Sequence, residues 1–455
     1  MKNVKIAKDI NIWTVDQDWI AISSAKIGKV LCAPSVWQEF IETHLGCEPA
    51  DYFDQEEVEL LLKYGIIQEK DKNSLPDGYS NILQDINNNA RLDNLSLIIS
   101  EGCNFKCPHC IHANDVTQVQ TRSLNTYMSS DMAKTSIDKF FPIAASSGKR
   151  EIDIEFGAAE PLINWTVIEY VVDYIKNNYS SFDVTYHMTT NLSLVTEQQA
   201  KFFVDNNFRI STSLDGDKLA NDAVRMDKKG QGTYEKIIDK IGVMKKSGYS
   251  FDSVNLTLTK GNIGIIDIEK YLDEIESMGM NGIGLDFDVV TSEHLDVETV
   301  CDKMLEIYDA CKRRGLYCVG TWLHPAENML DPDFSEPSLF CKAVAGRNLS
   351  VSPQGTLHMC NFTSTPLGEI EKIESYGKNL SGLITGREDF VATHCQDCSL
   401  KASCRGQCHT TLEVNDPKKN EKLDFMCDFY RKLTKAVVVR SLSEQVSNER
   451  QLDFA

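Results

Sequence analysis

What this 455-residue chain lacks narrows its class before any motif does. No apolar run reaches the roughly 18 residues that span a bilayer, and no apolar h-region follows Met1-Lys2-Asn3-Val4-Lys5, so neither a membrane anchor nor a secretory signal is expected and the chain should stay in the cytoplasm. Positive charge is scarce: 47 Lys and Arg face 67 Asp and Glu, a net charge of -20, which repels phosphate backbones and argues against nucleic acid as a partner. Internal repeats and low-complexity blocks are absent as well. What remains, 25% charged and 42% apolar residues, describes a globular protein long enough for about two to four domains. The stretch after about Leu442 is polar and expected to fray.

Cysteine is the residue present in excess. Fifteen of them in a compartment that keeps thiols reduced point to metal rather than to disulfides. Three lie in Cys103-Asn104-Phe105-Lys106-Cys107-Pro108-His109-Cys110, a C-x3-C-x2-C loop that can wrap one side of a cubane iron-sulfur cluster and leave its fourth iron open. A zinc knuckle or three buried thiols is the plain alternative, but zinc normally closes with four ligands. The spacing resembles the signature of the radical S-adenosylmethionine (SAM) enzymes. That resemblance implies a 4Fe-4S cluster on Cys103, Cys107 and Cys110, SAM chelated at the open iron, and a 5'-deoxyadenosyl radical that abstracts hydrogen.

Around the loop the chain divides into four parts. Residues 1–90 show short strands at 4–7 and 19–23, helices at 35–44 and 55–64, and a turn into a strand at 65–68. That outline is winged-helix-like and resembles the recognition domain fused to enzymes that modify ribosomally made peptides, which implies capture of a leader peptide by strand addition. A DNA-reading winged helix is the rival, disfavoured by the acidic segment Gln55-Glu56-Glu57-Val58-Glu59. Residues 91–330 alternate strands at 95–100, 152–156, 184–189, 209–214, 254–259 and 283–289 with amphipathic helices such as 167–177, 234–246 and 297–313. The expected fold is α/β: a partial (β/α)6 TIM barrel with its chemistry at the strand C-terminal ends, flanked by the N-terminal module and an irregular iron-sulfur domain at 331–440, then a tail at 441–455.

Strand ends of the barrel carry further residues that match SAM contacts of the family. Gly157-Ala158-Ala159-Glu160-Pro161 looks like the family's Gly-Gly-Glu-Pro segment, with alanines where two glycines are usual; the resemblance puts Ala159 and Glu160 near the methionyl amino group. Thr189-Thr190-Asn191 resembles its Thr-Asn segment, and Ser213-Leu214-Asp215-Gly216 its ribose- or carboxylate-binding segment. Arg225 stands at the offset of a carboxylate-binding arginine, and His109 fills the position before the last loop cysteine. Asp286, Asp288 and Glu155, on strands, are candidates for a catalytic base.

Seven more cysteines follow as Cys341, Cys360, Cys395-x2-Cys398-x5-Cys404-x3-Cys408 and Cys427. Paired zinc ribbons would need eight thiolates. The order is similar to the SPASM extension of peptide-modifying radical SAM enzymes, which implies two auxiliary 4Fe-4S clusters, one on Cys395, Cys398, Cys404 and Cys427, the other on Cys341, Cys360 and Cys408 with a fourth ligand from another residue, water or substrate. His358, His394 and His409 flank these positions, as packing neighbours more readily than as ligands. Cys32, Cys47, Cys301, Cys311 and Cys318 fit neither pattern and read as packed thiols.

Together the resemblances imply a maturase that modifies a precursor peptide carrying a leader, through a thioether, carbon-carbon or carbon-oxygen crosslink, with electrons from a flavodoxin- or ferredoxin-type donor. Two alternatives stand beside it: a sulfatase-type maturase oxidising a Cys or Ser on a protein, and a non-enzymatic iron-sulfur regulator.

Overall fold

The computed structural model describes residues 4–48, 52–69, 79–112, 126–289, 295–414 and 420–452. Its first part contains β1 (Val4–Ile6), β2 (Ile10–Thr14), β3 (Trp19–Ser24) and β4 (Val30–Pro34), the helices Trp37–Thr43 and Gln55–Lys63, and β5 (Ile67–Glu69). β2, β3 and β4 form an antiparallel meander, while β1 pairs with β5. The meander holds two strands more than the reading above, although Ile10-Asn11-Ile12-Trp13 does alternate as a half-buried strand should. Ile20, Ile22 and Leu31 of the sheet pack with Trp37, Ile41, Val58 and Leu61 of the helices into a core separate from the rest of the molecule. A capping box starts the second helix: Asp54 accepts from the Glu57 amide at 2.8 Å, and Glu57 from the Asp54 amide at 2.9 Å.

The helix Tyr79–Asn87 lies inside the expected module but belongs elsewhere. Its Tyr79, Ile82 and Ile86 join the main core, and it crosses the helix Tyr376–His394 so closely that a Cβ on Gly377 would stand 2.2 Å from the Ile86 carbonyl. Residues 70–78 of that module lie outside the described residues.

The barrel wall is built from β6 (Asn94–Ser100), β7 (Glu151–Ala158), β8 (Asp183–Thr189), β9 (Phe208–Ser211), β10 (Ser253–Leu258) and β11 (Gly282–Phe287). β6 to β9 pair in parallel, as do β10 and β11. β9 and β10 meet only past the end of β9, where Asn255 donates to the Thr212 carbonyl at 2.8 Å and accepts from the Leu214 amide at 2.9 Å. Two short strands lengthen the wall beyond six. β12 (Tyr317–Val319) adds in parallel to β11, and β13 (Asn348–Val351) in parallel to β6, with β14 (Leu357–His358) antiparallel beyond it. Runs of three and four residues are too short to show alternation in a sequence. Among the described residues β12 and β13 do not pair, so the wall stays open.

Residues 348–351 thus come from the expected iron-sulfur part, which shares a sheet with the barrel. The C-terminal tail departs from expectation. Helix Asn420–Leu452 runs unbroken through residue 441, with Leu442 and Val446 buried and Arg440 held by Asp309 at 2.9 and 3.0 Å. Polar composition there is one face of a helix whose apolar stripe docks on the helix Val297–Arg313. Residues 453–455 lie outside the described residues.

Candidate active site

A cavity of about 450 Å³ opens at the C-terminal ends of the barrel strands. It is lined by Cys103, Cys107, His109 and Cys110 of the loop after β6, by Ala158 and Ala159 at the end of β7, and by Asn191, Ser213 and Arg225 further round. Glu155, Asp286 and Asp288 line it too, as does Cys408 from the second cysteine set. The structure therefore gathers residues separated by 305 positions, from Cys103 to Cys408, into one wall.

The loop is fixed at both ends. Lys106 donates its amide to the Met226 carbonyl at 2.8 Å, just after Arg225, and the Cys110 amide closes a turn on the Cys107 carbonyl at 3.2 Å. Asn191 donates to Asn104 at 2.9 Å and to the Cys103 sulfur at 3.8 Å, which ties the third strand end to the loop. Burial pushes the Cys103 thiol up to about 12 and raises Cys107 also, and the negative charge of Cys110 adds to both rises. A buried set of thiols that resists ionisation in the bare protein is a cradle for a cationic iron centre, whose binding takes the place of the protons. Three thiol donors fit a 4Fe-4S cluster and would leave one iron without a protein ligand.

Behind the lining sits a charged cluster. Asp215, fully buried, pairs with Arg225 at 2.7 Å, lies 3.3 Å from His109 Nε2, and accepts from the Thr257 amide at 2.9 Å. Arg225 reaches the cavity while its counter-ion does not, so the sequence signal at Asp215 marks the residue that orients Arg225. Burial and the positive charge of Arg225 lower the His109 pKa, against the pull of Asp215. Glu160 also stays out of the lining. It is fully buried, and its carboxylate accepts from the Leu162 amide at 3.0 Å, the Thr190 hydroxyl at 2.7 Å and the Asn191 amide at 2.8 Å. Three donors explain why it sits inward: here it braces the turn that presents Asn191.

The three base candidates differ in their surroundings. Asp286 accepts from the Thr321 amide at 3.0 Å and hydroxyl at 2.8 Å, and burial raises its pKa. Burial raises Glu155 likewise, against hydrogen bonds from Ser96 and Asn361. Asp288 lies just past the end of β11, its amide on the Leu258 carbonyl at 2.8 Å.

The second constellation resolves into two groups. Cys395, Cys398, Cys404 and Cys427 together line one small cavity, and burial pushes Cys395 and Cys427 up to about 11. Burial raises the pKa of Cys341 and Cys360, and the charge of Cys408 adds to both rises. Among the described residues no three His, Cys, Asp or Glu side chains close on the position of a single metal ion. Of the flanking histidines, His358 Nδ1 meets the Thr365 carbonyl at 3.2 Å and His409 lies 3.4 Å from Glu413, whereas His394 Nε2 stands 3.9 Å from the Cys427 sulfur. Of the remaining cysteines, Cys311 and Cys318 hydrogen-bond each other.

Several lining residues carried no sequence signal: Asn255 and Thr257 on β10, Thr410 and Thr411 after Cys408, and Phe362, which stacks on His112 at 5.3 Å. Asn361 had one, its place next to Cys360. Its amide nitrogen would stand 2.8 Å from a Cβ on Gly157, so a glycine lets the end of β7 meet this loop.

Comparisons with known proteins agree with the geometry. The Radical SAM superfamily model matches residues 97–264. A radical SAM cyclopropyl synthase, TigE, of Paramaledivibacter caminithermalis is 23% identical over 76% of this chain and 74% of its own length. A cysteine-type anaerobic sulfatase-maturating enzyme of Clostridium novyi is 21% identical over 72% of this chain and 91% of its own. Among solved structures, anSMEcpe with bound AdoMet and a peptide superposes with a TM-score of 0.62 at 18% identity, covering 78% of this chain and 99% of that one. Streptococcus suis SuiB bound to its precursor peptide SuiA gives 0.53 at 15% identity, covering 91% and 97%.

Proposed function

From the premise that this chain is a radical SAM superfamily enzyme related to peptide and protein maturases, we propose that it modifies a ribosomally made precursor peptide, closing a thioether, carbon-carbon or carbon-oxygen crosslink. The observation that carries this reading is the shared cavity: the loop thiols, three carboxylates and Cys408 of the second set all face one space at the barrel mouth. Cys103, Cys107 and Cys110 would hold a 4Fe-4S cluster there, which with SAM would supply hydrogen-atom abstraction. Arg225, oriented by Asp215, would hold the SAM carboxylate, and Ser213, Asn191 and the backbone at Ala159 the rest of the molecule. Asp286, Asp288 or Glu155 would take the proton released as the new bond closes. Seven further thiols would hold two auxiliary clusters, one of them beside the substrate through Cys408.

The leader would dock on the first part of the chain. That part has its own core, and the outer edge of β4 has no strand partner among the described residues, so an extended peptide can add there through main-chain hydrogen bonds. The peptide bound to SuiB in a structure that covers 91% of this chain supports the same role. Oxidation of a Cys or Ser on a protein is the second reading, favoured by the 99% of anSMEcpe that the chain covers. The reconstituted enzyme, SAM and dithionite are incubated with a leader-bearing candidate precursor peptide and with a sulfatase-derived peptide. A mass loss of two hydrogens in the former alone is expected; oxidation of the latter alone would overturn the crosslinking reading.

A further inference from the structure

Arg387 is an anomaly of charge. Its side chain is on the helix Tyr376–His394 and only 5% exposed. Among the described residues no carboxylate lies within ion-pair distance of it. The neighbouring Glu388 is occupied by Arg405, 2.5 Å away, and Arg405 in turn covers the ring of Tyr79. A guanidinium keeps its charge in any protein, and burying one without an anion costs several kcal/mol. Something negative must therefore face it.

Arg387 Nη1 stands 3.5 Å from His409 Nδ1, next to Cys408, and its Nη2 holds the loop between Cys404 and Cys408, so the guanidinium lies beside cysteines of both groups. The charges that act on Arg387 most, after burial itself, are those of Cys408, Cys404 and Cys341, and Glu388 comes after them. Cys408 and Cys341 belong to the three-cysteine group and Cys404 to the four-cysteine group. Lys401 acts on Cys395 and Arg431 on Cys427, both in the four-cysteine group, whereas Arg387 acts on Cys395 and also on Cys341 of the other group. Arg387 also spans the segment joining the groups. It donates to the Arg405 carbonyl at 2.8 Å and the Gln407 carbonyl at 2.6 Å, across three successive residues with positive φ, Arg405, Gly406 and Gln407.

We propose that Arg387 is a positioning residue shared by the two auxiliary clusters, its fixed charge offsetting the negative charge of both and raising their affinity for an electron. Net charge and hydrogen bonding around the sulfurs set such potentials. A cation placed between the two groups makes both centres better acceptors for an electron leaving the substrate site. The inference rests on the two-cluster reading above.

The test uses the full reconstituted chain, with iron and sulfide analysis and an EPR-monitored redox titration of wild type, Arg387→Gln and Arg387→Lys. About twelve irons per wild-type chain are expected, and a plateau near four would end the two-cluster reading itself, separately from this inference. Removing the charge in Arg387→Gln should weaken the electron affinity of both auxiliary centres at least tenfold, about 59 mV for one electron. The cluster on Cys103, Cys107 and Cys110 should not move. Arg387→Lys keeps the charge without the two-carbonyl fork and should return the midpoints to wild type. Unchanged midpoints in an iron-replete Arg387→Gln, or equal shifts in both variants, would overturn the proposal. Should Arg387→Gln lose iron, Arg387→Lys decides: wild-type iron and midpoints support the charge role, and loss equal to that of Gln reduces the residue to a brace.

Discussion

Replacing Asp215 by Asn removes one negative charge from the most enclosed ion pair in the site. The Asp215 carboxylate is fully buried and the Arg225 side chain 13% exposed, with 2.7 Å between them. The Asn side chain keeps the size and can still accept from the Thr257 amide that Asp215 holds at 2.9 Å. What disappears is the counter-ion of a buried guanidinium, a loss of about 3–5 kcal/mol in folding stability. Arg225 would also swing away from its place in the cavity lining. If it holds the SAM carboxylate, the charge-assisted bond at stake is about 1.5–3 kcal/mol, or roughly 10- to 150-fold in Kd. Isothermal titration of SAM into the reconstituted, reduced enzyme reads the second effect and thermal unfolding the first. A variant that binds SAM within twofold of wild type, at an unchanged Tm, would refute both the role of Arg225 and the account of Asp215 as its anchor.

Three other outcomes follow from the same geometry. Changing Cys103, Cys107 and Cys110 to Ala should remove about four irons of about twelve and abolish 5'-deoxyadenosine formation, while the second constellation keeps its iron; surviving SAM cleavage would place the reactive cluster elsewhere. Gly28 has φ +74°, and a Cβ on it would stand 2.7 Å from the Ser403 amide, so Gly28→Val should cost about 2–5 kcal/mol, undock the first part from the segment Ala25 holds through Ala402, and speed its release by limited proteolysis. Deleting residues 1–69, which leaves the helix Tyr79–Asn87 in the main core, should sharply lower turnover of a leader-bearing peptide yet spare SAM cleavage; equal turnover by both chains would end the leader-docking reading.

Much of this was legible in the sequence because iron-sulfur ligation is local in its spacing and parallel strands are apolar enough to stand out. The six main barrel strands fall within two or three residues of their expected ends. The helices Tyr234–Lys246 and Val297–Arg313 match, because their apolar periodicity is strong. Where the reading stopped short, long-range contact decides. β12 and β13 are strands only because β11 and β6 offer an edge, and the last helix is ordered because its stripe meets another helix. Glu160 and Asp215 were read as ligand contacts from their motifs, yet the geometry puts each one layer behind the lining, since side-chain depth is set by partners such as Thr190 and Arg225. Arg387 has no sequence signal at all. Its meaning comes from burial and from cysteines up to 46 residues away.

The measurement that bears most directly on the central claim follows one hydrogen atom. A candidate precursor peptide, deuterated at its core residues and carrying its leader, is incubated anaerobically with the reconstituted enzyme, SAM and reductant, and the 5'-deoxyadenosine is weighed. Deuterium in the 5'-deoxyadenosine, together with a crosslinked peptide lighter than its precursor, is the predicted result. Deuterium-free 5'-deoxyadenosine and an unaltered peptide, from an enzyme that still cleaves SAM, would contradict it.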